Sequence, residues 1–141
     1  MRVLGVDVGA RRVGLAISDP SRTLARPLET IVVSGDADAV ERVADAIARL
    51  AGEDDGLGAV VVGMPASLDG TRNDASARVA AFVAALKRRV ALPVATEDER
   101  LSSREAESRL AIRERDWRKR KERLDAAAAA VILQDYLDRS R

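Results

Sequence analysis

The sequence predicts an α/β fold: a mixed five-stranded sheet, built from a three-strand antiparallel meander plus two parallel strands, with helices on both faces. Three observations carry this expectation. Three apolar, β-branched runs follow one another before any helical periodicity begins. Two further short apolar runs then alternate with segments of helical spacing, the pattern of parallel strands joined by crossovers. The length of 141 residues favours one domain over 1–141, enough chain to bury about 68–70% of its unfolded surface.

The elements follow in order. Val3 to Val8 is apolar apart from Gly5 and Asp7 and reads as a buried strand. Gly9-Ala10-Arg11-Arg12 turns the chain, and Val13 to Ser18 returns as the second strand of a hairpin. Pro27 precedes a third strand, Leu28 to Val33. Asp36 or Asp38 caps a helix whose apolar stripe is Val40, Val43, Ala44, Ile47 and Leu50. Gly52 and the Gly56 to Gly58 stretch end it. Ala59-Val60-Val61-Val62 is wholly apolar, as a strand covered on both faces should be. Pro65 stops that strand, and Ser67 to Asp74 is a polar loop, either a plain connection or a phosphate contact ahead of a helix. The next helical stripe is Val79, Phe82, Val83, Leu86 and Val90, and Pro93 opens a last strand, Val94 to Glu97. Ser102 with Glu105 forms a capping box, so one helix starts just past Leu101, and another runs from about Leu124 to Leu137.

Composition narrows the chemistry. The chain has no cysteine and no histidine. Disulfides, thiolate zinc sites, a histidine general base and a histidine-ligated metal are therefore excluded. Any hydrolysis must run on carboxylates, lysine, tyrosine or hydroxyls, with a hard metal ion to assist. The N-terminus meets Arg2 and Asp7 too early for a signal peptide. No window supplies the ~18 apolar residues of a membrane span. Together these point to the cytoplasm and away from a membrane.

Net charge is only +1, but it is unevenly spread. Residues 29–55 hold eight acidic side chains against two basic, whereas residues 100–123 hold ten basic against five acidic. A basic block beside carboxylates suits a polyanion partner near a metal site; as a bare charge run it is equally a solvated helix face. Trp117, set among Arg115, Arg118, Lys119, Arg120 and Lys121, could stack on an unpaired base or anchor the segment on the body.

Asp7 is the most informative residue, because a charge in an apolar strand is costly to bury without a partner. It is either a core ion pair with Arg11 or Arg12, or a functional group. Gly5, Gly9 and Gly14 around it favour function, since glycines let a backbone or ligand approach closely. Glu97-Asp98-Glu99-Arg100 closes the last strand. Strand alternation puts Glu97 and Glu99 on one side and Asp98 on the other; taken alone, the cluster reads as an exposed acidic turn with Arg100 as counter-ion. Asp125 stands at the expected start of an alanine-rich helix, where a first-turn acid is ordinary. Strand ends and a helix start can share one sheet edge, and converging carboxylates bind hard cations such as Mg²⁺ or Mn²⁺. Two such ions ~3.5–4 Å apart can activate a water and stabilise the leaving oxygen of a phosphodiester, the two-metal type of nuclease.

Taken together, these segments resemble the YqgF/RuvX family. The resemblance rests on Gly5-Val6-Asp7-Val8-Gly9, Arg11-Arg12-Val13-Gly14-Leu15-Ala16-Ile17-Ser18-Asp19 and Ala25-Arg26-Pro27-Leu28. It continues through Val61-Val62-Gly63-Met64-Pro65 with Asp69-Gly70, Asp98-Glu99-Arg100-Leu101-Ser102-Ser103 with Glu105-Ala106-Glu107, and Asp125 to Gln134. It spans nearly the whole chain, in order. The resemblance implies an RNase H-like nuclease acting in maturation of pre-16S rRNA, or, by kinship with RuvC, on Holliday junctions in DNA recombination and repair. It implies an acidic triad of Asp7, Glu99 and Asp125, with Asp98 as a further ligand or orienting group. The nucleic-acid contacts expected beside it are Arg11, Arg12, Arg100, Arg118, Lys119, Arg120 and Lys121. Partners are thus pre-rRNA or branched DNA, and a homodimer is compatible with the sequence. Two departures stand out. Ser103 replaces the usual threonine, and 112–123 lacks the glycine that often breaks this region, so a loop there is expected to be partly helical.

Two rival functions belong to other classes. An actin-like or sugar-kinase-like nucleotide binder also opens with a strand, Asp-x-Gly and a hairpin, but needs two such subdomains to enclose ATP. A non-catalytic RNA-binding ribosome assembly factor would keep the fold without the chemistry; the intact acidic set argues against it.

Overall fold

The computed structural model describes residues 1–65, 74–98 and 117–140, with the backbone alone described at 74 and 117–124. Five strands, β1 (Arg2–Val8), β2 (Arg12–Ser18), β3 (Ala25–Val32), β4 (Leu57–Met64) and β5 (Val94–Asp98), form one sheet in the order β3-β2-β1-β4-β5. β1 pairs antiparallel with β2, and β2 with β3, while β4 lies parallel to both β1 and β5. The helices are α1 (Asp36–Ala51), α2 (Asp74–Arg89) and α3 (Trp117–Arg139).

Alternation along the strands divides the core in two. Leu4, Val6, Val13, Leu15, Ile17, Val60 and Val62 face α1 and α2, joining Val43, Ile47, Val79, Phe82 and Leu86. Val3, Ala16 and Val61 face the other way, against Ala129, Leu133 and Leu137 of α3. β1 and β4 are thus covered on both faces, which is why their centres read as near-continuous apolar runs. Gly5 lies where α3 crosses β1: a Cβ there would come within 2.8 Å of Leu133 Cβ and 3.0 Å of the Ala129 carbonyl oxygen.

Two polar side chains lock the frame. Arg2, buried at the start of β1, donates to the carbonyl oxygens of Leu50 and Gly56 and pairs with Glu53 at 2.9 Å. It thereby satisfies a terminal carbonyl that α1 leaves without an intrahelical partner. Ser18 Oγ accepts from the Val3 amide at 2.8 Å, tying the end of β2 to the start of β1.

Several boundaries differ from the sequence expectation. β3 begins at Ala25 and runs through Pro27, which sits on the sheet edge beside a register shift at Leu15/Ala16; edge strands tolerate proline because one side of the ladder is unpaired. β4 extends from Leu57 to Met64, beyond the apolar run. Neither Asp36 nor Asp38 caps α1. Gly35 holds that position with no side-chain cap, and Asp38 reaches back from the first turn to accept from the Ser34 amide at 2.9 Å. α2 stops at Arg89, one residue short of Val90. α3 starts seven residues before Leu124, so the basic stretch 118–121 is helical backbone, as the missing glycine suggested. The Ser102 capping box, and nearly all of the Ser67 to Asp74 loop, lie outside the described residues.

Candidate active site

Asp7 is near the carboxyl end of β1, on the face it shares with Val3 and Gly5, and it is half-buried. Its partner across the hairpin is Gly14 of β2. α3 descends directly onto that glycine: a Cβ on Gly14 would collide with the carbonyl group of Asp125. The missing side chain thus lets Asp125, itself half-buried, ride over the residue that faces Asp7. The backbones of two acidic residues 118 positions apart in sequence thus lie against the same glycine, on the α3 face of the sheet. Asp125 does not open its helix, as expected from the onset of the alanine run. It lies well inside α3, whose first turn holds no acid; its place there is set by packing on the sheet rather than by a capping role.

The third acidic segment ends β5. Register carries the row of Asp7 across β4 at Gly63 to Glu97, since Val6 pairs with Val62 and Gly63 with Glu97. Glu97 therefore shares the α3 face with Asp7. It is 6% exposed and ion-paired with Arg139 near the end of α3 at 2.8 Å. This is a charge contact rather than a well-directed hydrogen bond, because Glu97 Oε1 lacks one of good geometry. Neither residue was among the expected site residues, although alternation had placed Glu97 on one side with Glu99. Asp98 is exposed and points to the opposite face in strand register. Glu99 and Arg100 lie outside the described residues, as do the side chains of Arg118, Lys119, Arg120 and Lys121. Among the described residues, no group of three or more acidic side chains is placed to share a cation. Asp7 and Asp125, neighbours through Gly14, carry the hard oxygen donors that Mg²⁺ and Mn²⁺ prefer.

Arg11 and Arg12 form the far wall of this edge. The Gly9 amide donates to the Arg12 carbonyl oxygen at 2.8 Å, and the Val33 amide donates to that of Arg11 at 2.9 Å. The turn is thereby pinned between β1 and the end of β3. Beside it opens a cleft of about 600 Å³ lined by Gly9, Ala10, Arg11, Arg12, Val32 and Asp125. Arg12 Nη1 is shut away from solvent and has no hydrogen-bond acceptor among the described residues. Such a buried donor costs about 1–3 kcal/mol, and more when charged.

The family described as "RuvX: Holliday junction resolvase" matches residues 1–139 of this sequence. The chain belongs to the RuvX family. Among its relatives, a protein of Anaeromyxobacter dehalogenans (strain 2CP-C) is 42% identical over 139 residues, covering 99% of this chain and 98% of its own length. One from Desulforamulus reducens is 39% identical over 138 residues, with 98% and 97% covered. Both carry the name "Putative pre-16S rRNA nuclease". Among solved structures, Thermus thermophilus RuvC in complex with a Holliday junction substrate superposes with a TM-score of 0.56 at 18% identity, covering 99% of this chain and 96% of that one. That likeness establishes the RNase H-like fold. RuvX membership over the whole chain displaces the nucleotide-binder reading.

Proposed function

We propose that this RuvX protein is a divalent-cation-dependent nuclease that cuts phosphodiester bonds of structured RNA in the maturation of pre-16S rRNA. The observation that supports the reading is the packing of the Asp125 backbone on Gly14, the strand partner of Asp7. The names of the relatives at 42% and 39% identity support the substrate class. Asp7, Glu99 and Asp125 are assigned as ligands, with Asp98 as an orienting group or further ligand. Mg²⁺ or Mn²⁺, as one ion or a pair, supplies activation of the attacking water and stabilisation of the leaving oxygen when bound there.

The chain's own groups grip and aim the backbone. Arg118, Lys119, Arg120 and Lys121 precede Asp125 on the same helix, about 6–11 Å from it along the axis. Arg11 and Arg12 flank it from the hairpin, and Arg100 follows the acidic pair. Their contacts are to phosphates, so base identity is read weakly and binding weakens steeply with salt. The reading needs no second copy of the chain, because Asp7 and Asp125 both adjoin Gly14 of the same chain. Among the described residues no helix is long and apolar enough to cross a membrane, and the proposed site of action is the cytoplasm.

Resolution of branched DNA is the second reading, favoured by the family's description and by the fold shared with RuvC. One experiment separates them: incubation of the purified chain with a pre-16S rRNA fragment and with a four-way DNA junction, each with Mg²⁺, Mn²⁺ or a chelator. The expected result is metal-dependent cleavage of the RNA. Cleavage of the junction alone selects the resolvase. RNA bound but uncut in every condition selects a non-catalytic assembly factor.

A further inference from the structure

The cleft at the β1–β2 turn holds a donor that the fold leaves unused. Arg12 opens β2 on the α3 face, two residues before Gly14. Its Nη1 is buried beside the cleft, with no hydrogen-bond acceptor among the described residues. A guanidinium is a rigid, permanently charged fork matched to carboxylate or phosphate oxygens. Leaving one of its N–H groups buried and unsatisfied is unfavourable, so the position makes physical sense when an anion completes it. The cleft of about 600 Å³ gives that anion a path in, and Arg11, exposed on the turn, adds a second positive charge at its mouth.

We propose that this cleft is a subsite for a backbone phosphate next to the one that is cut, with the Arg12 guanidinium, which lines it, turning so that Nη1 donates to a non-bridging oxygen. Its position carries the assignment. Asp125 lines the cleft and Asp7 does not, so the cleft adjoins the row of Asp7 and Gly14 without containing it. Arg12 stands two residues along β2 from that row, about 6.6 Å, of the order of one nucleotide step along a backbone. The subsite holds the strand in register while the carboxylates act on the neighbouring phosphate. It also makes Arg12 a residue of substrate binding rather than of the folded core. The assignment rests on the nuclease reading for its ligand.

The test uses the full chain without divalent metal, so that nothing is cut. The probes are inorganic phosphate, followed by melting temperature, and a single-stranded RNA oligonucleotide, followed by anisotropy. The variants are Arg12→Met and, as a charge control on an exposed position of α1, Arg42→Met. Arg12→Met should melt at or above the wild-type temperature in phosphate-free buffer, because it removes an unsatisfied donor. It should lose the phosphate-induced rise in melting temperature and bind RNA roughly 10- to 100-fold more weakly, while Arg42→Met keeps both. A folded Arg12→Met that binds phosphate and RNA as wild type does overturns the subsite, and so does an Arg12→Met that fails to fold, which would make Arg12 structural. The two readings fail separately. Wild-type protein that cuts RNA with no role for Arg12 in binding sinks only the subsite. Binding that depends on Arg12 in a protein that cuts nothing sinks only the nuclease.

Discussion

Gly14 lies directly beneath the backbone of Asp125, with no room between them for a single carbon. That contact lets one helix residue stand over the hairpin partner of Asp7, and it explains in steric terms why a glycine occupies the middle of a buried strand. Gly14→Ala should therefore push α3 off the sheet. The expected loss is roughly 1–3 kcal/mol, the usual range for overpacking, read by urea denaturation. Cleavage at saturating substrate should fall more than stability alone explains, because Asp125 moves relative to Asp7. An alanine variant with wild-type stability would mean that the helix can shift freely, and the close approach would lose its significance.

A second long-range contact, between Glu97 and Arg139, makes a separate prediction. Breaking a fully buried pair from one side costs several kcal/mol, but Arg139 is 68% exposed, so Arg139→Ala should cost only about 1–2 kcal/mol. Adding Glu97→Gln removes the stranded carboxylate and should recover part of that loss. A double mutant cycle by chemical denaturation measures the coupling; strict additivity would show that the pair is incidental.

Acid stability carries a signature of the β2–β3 turn. Asp19 is held down to about 2 from an ordinary value of 3.8 by the Ser21 hydroxyl, then by the amides of Leu24 and Thr23. Since its folded value is depressed, the stabilisation is fully present above pH 3.8 and is lost as pH falls toward 2. Asp19→Asn should flatten the loss of melting temperature across that window and leave the slope near neutrality unchanged. Parallel curves for variant and wild type between pH 4 and 2 would count against this turn as a source of acid sensitivity.

Much of this fold was legible because its strands are apolar and its helices amphipathic; the order of elements and both faces of the core follow from those periods. The errors have identifiable physical causes. Pro27 marks a boundary by its residue type, yet it sits on an edge strand where its missing N–H costs little. The apolar run that begins at Asp125 suggests a helix start there, whereas the arginines and lysines before it are good helix formers and carry the helix back to Trp117. Of the site, Asp7 stands out as a charge in an apolar strand. The pairing of buried Glu97 with Arg139, 42 positions later, does not, because no local pattern announces it.

The proposed activity depends above all on Asp7 as a catalytic carboxylate. The most direct measurement is Mg²⁺-dependent cleavage of a pre-16S rRNA fragment by Asp7→Asn, with thermal melting recorded on the same preparation. The substitution keeps the shape and removes the charge, so cleavage should drop to the level seen with chelator while the melting temperature stays at or above wild type. Wild-type cleavage by a well-folded Asp7→Asn protein would contradict the assignment of this sheet edge as the active site.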